Sequence, residues 1–277
     1  MLHRKYLKKM EKKNKFVISA SRRVDLAAYF PEKFIHTLTT KLPPERVHTI
    51  VIWTKDPVRV LKNKELISVL KNYKQLFFHV TVTGMGGTVL EPGIPPKEKA
   101  LDTLPELVRF TKSPERVRVR FDPVVHLKMK TGNIYSNIDE FASVAYATMN
   151  AGIKHMVLSW MQIYPKVKKR LLSYGIKPME LSSAKIQSEA DYLTKKADDY
   201  GITLHFCSTE PLEPSRCIDG YLLRNLHPDK EKADTEKAAG QRALCGCTKS
   251  WDIGWYYKCP GGCLYCYANP AVPKMGK

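Results

Sequence analysis

The chain has 277 residues, 43% of them hydrophobic and 26% charged, an ordinary globular composition that excludes a mostly disordered or fibrous chain. Its 46 Lys and Arg against 27 Asp and Glu leave a net charge of +19, which favours polyanionic partners, nucleic acid first among them. No run of 18 apolar residues is present, which excludes a membrane-spanning helix, and the basic first residues are not followed by an apolar leader, so no secretory signal is expected.

Residues 1–15 hold seven Lys or Arg and one Glu, and read as a basic N-terminal arm, a solvated helix or frayed segment. Short β-rich segments then recur about every 30 residues: 16–21, 47–54, 76–84, 116–125, 155–163 and 202–208. Each is rich in Val, Ile, Phe or Thr, and several are almost continuously apolar, the pattern of strands buried on both faces in a parallel sheet. Helical periodicity fills the intervals 57–72, 97–112, 137–151 and 180–199, with Gly201 placed to cap the last of these. Strands alternating with helices predict βαβ units. The expected architecture is α/β: a TIM-barrel-like partial (β/α) barrel of about six units over 16–223, with a doubly wound sheet as the competing arrangement. Residues 224–277 form a linker and a Cys-rich segment. The polar stretch 224–242 carries five basic and four acidic residues and reads as exposed; 243–277 is too short for a core of its own and must pack on the barrel or be stapled by a metal.

Five of the seven cysteines fall between Cys245 and Cys266. Without a leader, this pattern reads as metal ligation in a reducing cytoplasm, not as a disulfide framework. The most specific feature is Cys259-Pro-Gly-Gly-Cys263-Leu-Tyr-Cys266. Three thiolates so spaced can wrap one face of a compact centre, and Gly261 and Gly262 allow the tight turn. Thiolates are soft ligands suited to an iron–sulfur cluster or to zinc. Three ligands leave a fourth position open to a substrate or cofactor. The other four, Cys207, Cys217, Cys245 and Cys247, equal one complete all-thiolate site, for a second iron–sulfur cluster or zinc. Against this, Cys207 ends an apolar strand and reads equally as a plain buried thiol, and Cys245-Gly-Cys247 could lend a fourth ligand to the first site.

The Cys-x3-Cys-x-aromatic-Cys pattern, with Tyr265 as the aromatic, resembles the cluster motif of the radical S-adenosylmethionine (SAM) superfamily. The resemblance implies a [4Fe–4S] cluster on Cys259, Cys263 and Cys266, SAM on the unique iron, reductive cleavage of SAM to a 5′-deoxyadenosyl radical, a reducing partner such as ferredoxin or flavodoxin, and a partial (β/α) barrel. A second resemblance spans most of the chain. Ser19-Ala20-Ser21-Arg22-Arg23-x-Asp25, Trp53-Thr54-Lys55-Asp56-Pro57, Thr83-Gly84 with Glu91-Pro92, Arg120-Phe121-Asp122-Pro123, and Cys245-Gly-Cys247 with Asp252-Ile-Gly254 are similar to strings of a prokaryotic family known as domain of unknown function 1848. The Arg-Phe-Asp-Pro and Gly-Cys-x-Tyr-Cys-Tyr strings also resemble spore photoproduct lyase-related proteins. This chain departs from the superfamily in carrying its three cysteines at the C-terminal end, not after the first strand. Gly86-Gly87 with Glu91 only loosely echoes the superfamily segment that holds the SAM amino group.

Other residues carry smaller expectations. Arg22 and Arg23 follow the first strand and could grip a carboxylate or phosphate, or form a structural pair with Asp25. Asp122 could accept from a ribose hydroxyl or cap a turn. His79 and His205 lie within strands and read as hydrogen-bonded core histidines; Lys55 sits at a strand end and could contact an anion, with a solvated lysine as the default reading. Tyr256, Tyr257, Tyr265 and Tyr267 flank the cysteine motif; they would exclude water from it, or stack on an adenine or a base. Three functions follow. The leading one is a radical SAM-type enzyme acting on an unknown substrate, nucleic acid or nucleotide among the candidates. The others are a non-catalytic iron–sulfur redox protein and a zinc-stapled nucleic-acid-binding protein.

Overall fold

The computed structural model describes residues 15–273. The basic arm expected at 1–15 lies outside these residues except for Lys15, whose ammonium pairs with Glu231 at 2.8 Å. Among the described residues ten strands occur in chain order: β1 (Phe16–Ala20), β2 (Val47–Thr54), β3 (Leu76–Thr81), β4 (Val117–Val124), β5 (His126–Lys128), β6 (Ile134–Ser136), β7 (His155–Trp160), β8 (Lys177–Pro178), β9 (Thr203–Phe206) and β10 (Trp251–Asp252). Seven of them form one sheet in the order β10-β1-β2-β3-β4-β7-β9. Every pairing in it is parallel. A small antiparallel sheet, β6-β5-β8, sits to one side and has no counterpart in the sequence reading. Its strands are two or three residues long, too short for alternation to register.

The six expected β segments are the six longer strands of the sheet, each within a few residues of its expected limits. The expected helices form, but two of them break. The 57–72 interval becomes Pro57–Lys62 and Lys64–Leu70, because the Asn63 side chain accepts from the Leu66 N–H at 2.9 Å and starts a new helix. The 97–112 interval becomes Lys97–Leu101 and Leu104–Thr111, with Pro105 in the opening turn of the second, where its missing N–H costs nothing. Gly201 adopts φ +64° just beyond Ser183–Asp198 and turns the chain into β9. The helix Pro31–Lys41 was not anticipated. Only Phe34 and Leu38 mark its buried face, and Thr37 and Thr40 donate back to the Lys33 and His36 carbonyls.

Alternate strand residues face opposite ways, and the two faces differ in what covers them. Ile18, Ile50, Ile52, Phe78, Val119, Phe121 and Leu158 join the main core together with residues from the helices, such as Phe34, Leu66, Leu104 and Leu193. The opposite face presents Val17, Val51, Phe77 and Val157, and these pack against Cys207, Cys217, Cys245 and Cys247. The chain from Cys207 onward, including the helix Gly220–Leu226, therefore covers this sheet face, and β10 extends the sheet beside β1.

His205 on β9 lies 3.1 Å from His155 on β7, nitrogen to nitrogen. Burial, with Arg118 and His155 nearby, lowers the His205 pKa to about 4. Between pH 6.5 and 4 the unfolded chain protonates this ring while the folded chain does not, so stability falls as pH falls through that window. We expect His205→Asn to flatten the loss over this range by roughly 1–2 kcal/mol, partial exposure being discounted. Thermal unfolding of wild type and variant at pH 7 and pH 4.5 measures it; equal pH dependence in the two would contradict the assignment.

Candidate metal centre

The loop Cys259–Cys266 is built on a backbone frame. Cys259 N donates to Asn269 O at 2.8 Å, Gly262 N to Cys259 O at 3.3 Å and Cys266 N to Cys263 O at 3.1 Å. Gly262 has φ +64°, which the turn demands. The loop is seated on the segment after β3. Gly93 N donates to Gly261 O at 3.1 Å and Leu264 N to Leu90 O at 2.9 Å. Tyr29 OH donates to Gly93 O at 2.7 Å, and Arg170 Nη1 donates to the carbonyls of Leu264 and Cys266 at 2.9 and 2.7 Å. A side chain at Gly93 would put its Cβ 2.2 Å from the Pro260 carbonyl oxygen. Gly93→Ala is therefore expected to lift the cysteine loop, costing about 1–3 kcal/mol. Faster loss of bound metal to a chelator, relative to wild type, is the readout; an unchanged rate would show that the loop does not depend on this contact.

The residues facing the loop come from the C-terminal ends of successive strands, the end at which open α/β sheets place their ligands. Asp25 follows β1, Lys55 follows β2, and Thr83 and Glu91 follow β3. Glu91 is 1% exposed. It accepts from Lys55 Nζ at 2.8 Å, from Thr83 Oγ1 at 2.8 Å and from the Tyr265 hydroxyl. The Lys55 ammonium also lies over the Tyr265 ring, 5.6 Å from its centroid. Burial works against the Lys55 charge, but the Glu91 carboxylate together with the other negative groups around it outweighs this, and the Lys55 pKa is raised. Lys55 is thus a half-buried partner of the Glu91 carboxylate, the anion contact rather than the solvated default.

Asp25 caps the short helix Leu26–Tyr29 through the Ala28 N–H and accepts from Thr54 Oγ1 and Lys55 N. Burial raises its pKa to about 6. Burial also pushes all three loop thiols up, Cys259 to about 11. Thiolates here call for a cation to bind them, which is what a metal centre supplies.

The other expected site residues are distributed as follows. Arg22 and Arg23 do not pair with Asp25. Arg22 lies over Trp53, 5.3 Å from the ring centroid, and its Nη2 is buried with no hydrogen-bond partner among the described residues. Arg23 donates to the Gly254 carbonyl at 3.1 Å and lies over Tyr256. The partner for this end of β1 is Asp252, which accepts from Ser21 Oγ at 2.7 Å, Arg22 N at 3.0 Å and Ser19 Oγ at 3.1 Å. Asp122 lies inside β4 and caps no turn; its carboxylate is held by Arg120 and Ser159. Tyr267 OH donates to the Arg22 carbonyl at 2.5 Å. His79 is fully buried, with Nε2 donating to the Cys217 carbonyl at 2.8 Å and its ring stacked on Trp53. Cys245 and Cys247 do not join the Cys259–Cys266 loop but pack with Cys207 and Cys217.

Sequence reasoning missed the Lys55–Glu91–Tyr265 contact and the anchoring by Asp252. Each partner lies in a quoted string, but nothing local links strings 174 or 231 residues apart. It also missed His227, Asp229 and Glu231, whose donor atoms all lie within 4.8 Å of one another. Lys74 and Lys15 already pair with those two carboxylates, at 2.5 and 2.8 Å.

Together these features define an α/β protein with a thiol-rich loop at the C-terminal ends of parallel strands. The family model described as Domain of unknown function (DUF1848) matches residues 37–268, and the chain belongs to that family. No curated protein matches it. Among solved structures it is similar to Streptococcus suis SuiB bound to S-adenosylmethionine, at 13% identity and TM-score 0.34, over 82% of this chain and 56% of that chain. It is also similar to the carboxyl transferase domain of Rhizobium etli pyruvate carboxylase, at 10% identity and TM-score 0.28, over 90% of this chain and 43% of that one. The chain thus spans little more than half of SuiB. Among the described residues, no helix is long and apolar enough to cross a membrane.

Proposed function

We infer that the chain is a radical SAM-type enzyme with a [4Fe–4S] cluster held by Cys259, Cys263 and Cys266. The observation that carries this is the placement of the three-cysteine loop. It sits at the C-terminal ends of parallel strands, and the four remaining thiols pack together elsewhere, which leaves Cys259, Cys263 and Cys266 as the thiols of this loop and supports a three-ligand centre. The donor set fits the group: soft thiols, buried or half-buried, on a loop that glycines keep tight. When bound, the cluster would supply an open iron for SAM and the electron that cleaves it.

The protein's own groups position and shield. Lys55 and Glu91 set a fixed charge pair beside Cys263, and the Tyr265 ring closes that side to water. The Nη2 of Arg22, with no partner among the described residues, offers a donor to a carboxylate or phosphate. The order of β1, β2, β3, β4, β7 and β9, each beside its predecessor, supports reading the sheet as an open part of a (β/α) barrel, since a doubly wound sheet reverses its order partway. The net charge of +19 favours a polyanionic substrate such as a nucleic acid or nucleotide, and a reduced ferredoxin or flavodoxin is the partner class that the chemistry needs.

The test is anaerobic purification, iron and sulfide analysis, and EPR of the dithionite-reduced protein with and without SAM. A reduced [4Fe–4S] signal that SAM perturbs is the expected result. Iron with no response to SAM would replace the enzyme by a redox protein, and zinc alone would remove both iron-based readings.

A further inference from the structure

Four thiols lie outside the three-cysteine loop, and the fold gathers them from separate parts of the chain. Cys207 directly follows β9, Cys217 precedes the helix Gly220–Leu226, and Cys245 and Cys247 lie in the tail before β10. All four are buried, and none is in a disulfide. The sulfurs of Cys207 and Cys217 are 3.5 Å apart, and Cys245 and Cys247 pack in the same buried cluster. The Cys245-Gly-Cys247 turn passes so close to residue 215 that a Cβ on Gly246 would lie 3.0 Å from the Ser215 carbonyl oxygen.

Donors converge on these sulfurs. Arg120 Nη1 donates to Cys217 Sγ at 2.8 Å, the Ile218 N–H to Cys247 Sγ at 3.4 Å, and Arg242 Nη2 lies 3.8 Å from Cys207 Sγ. Arg120 is 5% exposed and turns its other nitrogen to Asp122. A buried guanidinium aimed at sulfur is the environment of a thiolate, because a neutral thiol is a weak acceptor.

We propose that Cys207, Cys217, Cys245 and Cys247 ligate a second metal centre, closed by four thiolates and separate from the three-cysteine site. The chemistry is tetrathiolate coordination of a thiophilic metal, either a zinc ion or an all-cysteinyl iron–sulfur cluster. A zinc ion with bonds of about 2.3 Å would hold its sulfurs about 3.8 Å apart, close to the Cys207–Cys217 separation. Binding replaces thiol protons by the metal, and those protons leave to solvent. With no ligand position open, the centre staples the tail to the sheet face that presents Val17, Val51 and Phe77, or carries electrons; it does not bind substrate. A cavity of about 550 Å³, lined by Cys245, Arg118, Arg216 and Lys237 among others, leads to it from solvent. The proposal does not depend on the identity of the first centre.

The test uses the full chain, purified anaerobically, with metal and acid-labile sulfide counted per chain. A C259A/C263A/C266A variant should retain one zinc, or one complement of iron with sulfide, and adding C217A and C247A should remove it. In the otherwise native chain, C217A/C247A should lose that complement and keep the metal of the first site. Adding Co2+ to the metal-stripped C259A/C263A/C266A chain should give tetrahedral thiolate absorption at one equivalent. Zinc and iron with sulfide distinguish the two forms of the centre. The proposal is overturned if C217A/C247A leaves the metal count of the native chain unchanged. A native disulfide between any of these four cysteines, found by mass spectrometry, would overturn it equally.

Discussion

Cys263→Ala is expected to empty the candidate centre of iron and to reduce SAM cleavage more than about 100-fold. Replacing an outer partner of a metal site commonly costs 10–100-fold, and a direct ligand should exceed that. Cys263 is the middle and most buried cysteine of the loop, beside the Lys55–Glu91 pair. Its loss leaves two thiols on a short turn, too few to hold a cluster against solvent. Iron and sulfide per chain, together with 5′-deoxyadenosine released from SAM under dithionite, measure the effect. Cys217→Ala provides the contrast, since its sulfur lies with the other thiol set and should leave the response to SAM intact. A Cys263→Ala protein with native iron content would remove this loop as the centre.

Glu91→Ala should be the most destabilising single change near the site. The carboxylate is buried and takes bonds from Lys55, Thr83 and Tyr265. Its removal strands the Lys55 ammonium, and breaking a buried pair from one side costs about 3–5 kcal/mol. For a chain of this size the melting temperature should fall by about 6–15 °C. Tyr265→Phe removes one hydrogen bond and should cost about 1 kcal/mol. Replacing both charges, as Lys55→Met with Glu91→Leu, should recover most of the stability, because no charge is then left without a partner. Thermal unfolding of the four proteins side by side decides this. A shift under about 2 °C for Glu91→Ala would show that water reaches Lys55 and that the pair is not sealed.

Much of the framework was legible in sequence because it is local. Near-continuous apolar runs such as 47–54 and 76–81 can only be strands buried on both faces, and they recur with helical periods between them. The three-cysteine motif was legible for the same reason: its spacing lies within eight residues, and its glycines prescribe the turn. The breaks at Asn63 and before Pro105 were not legible in the sequence, because helical periodicity runs through both; the Asn63 cap ends the first helix and Pro105 sits in the opening turn of the next.

The tertiary structure decided which distant groups meet. The antiparallel β6-β5-β8 sheet rests on strands too short for a pattern. Asp252 and Ser21 are joined only because β10 pairs with β1. Lys55 looked solvated because a lysine after a strand normally is; Glu91, brought in by the loop after β3, made it a half-buried partner in an ion pair. Cys207 read equally as an ordinary buried thiol until its neighbours from 217, 245 and 247 were in place. The sequence by itself determined the strand and helix alternation and the spacing of the three cysteines in the Cys259–Cys266 loop, since both depend on residues close along the chain. Only the fold decided which charge neutralises which, and which thiols pack together, since those depend on packing between segments that no local periodicity relates.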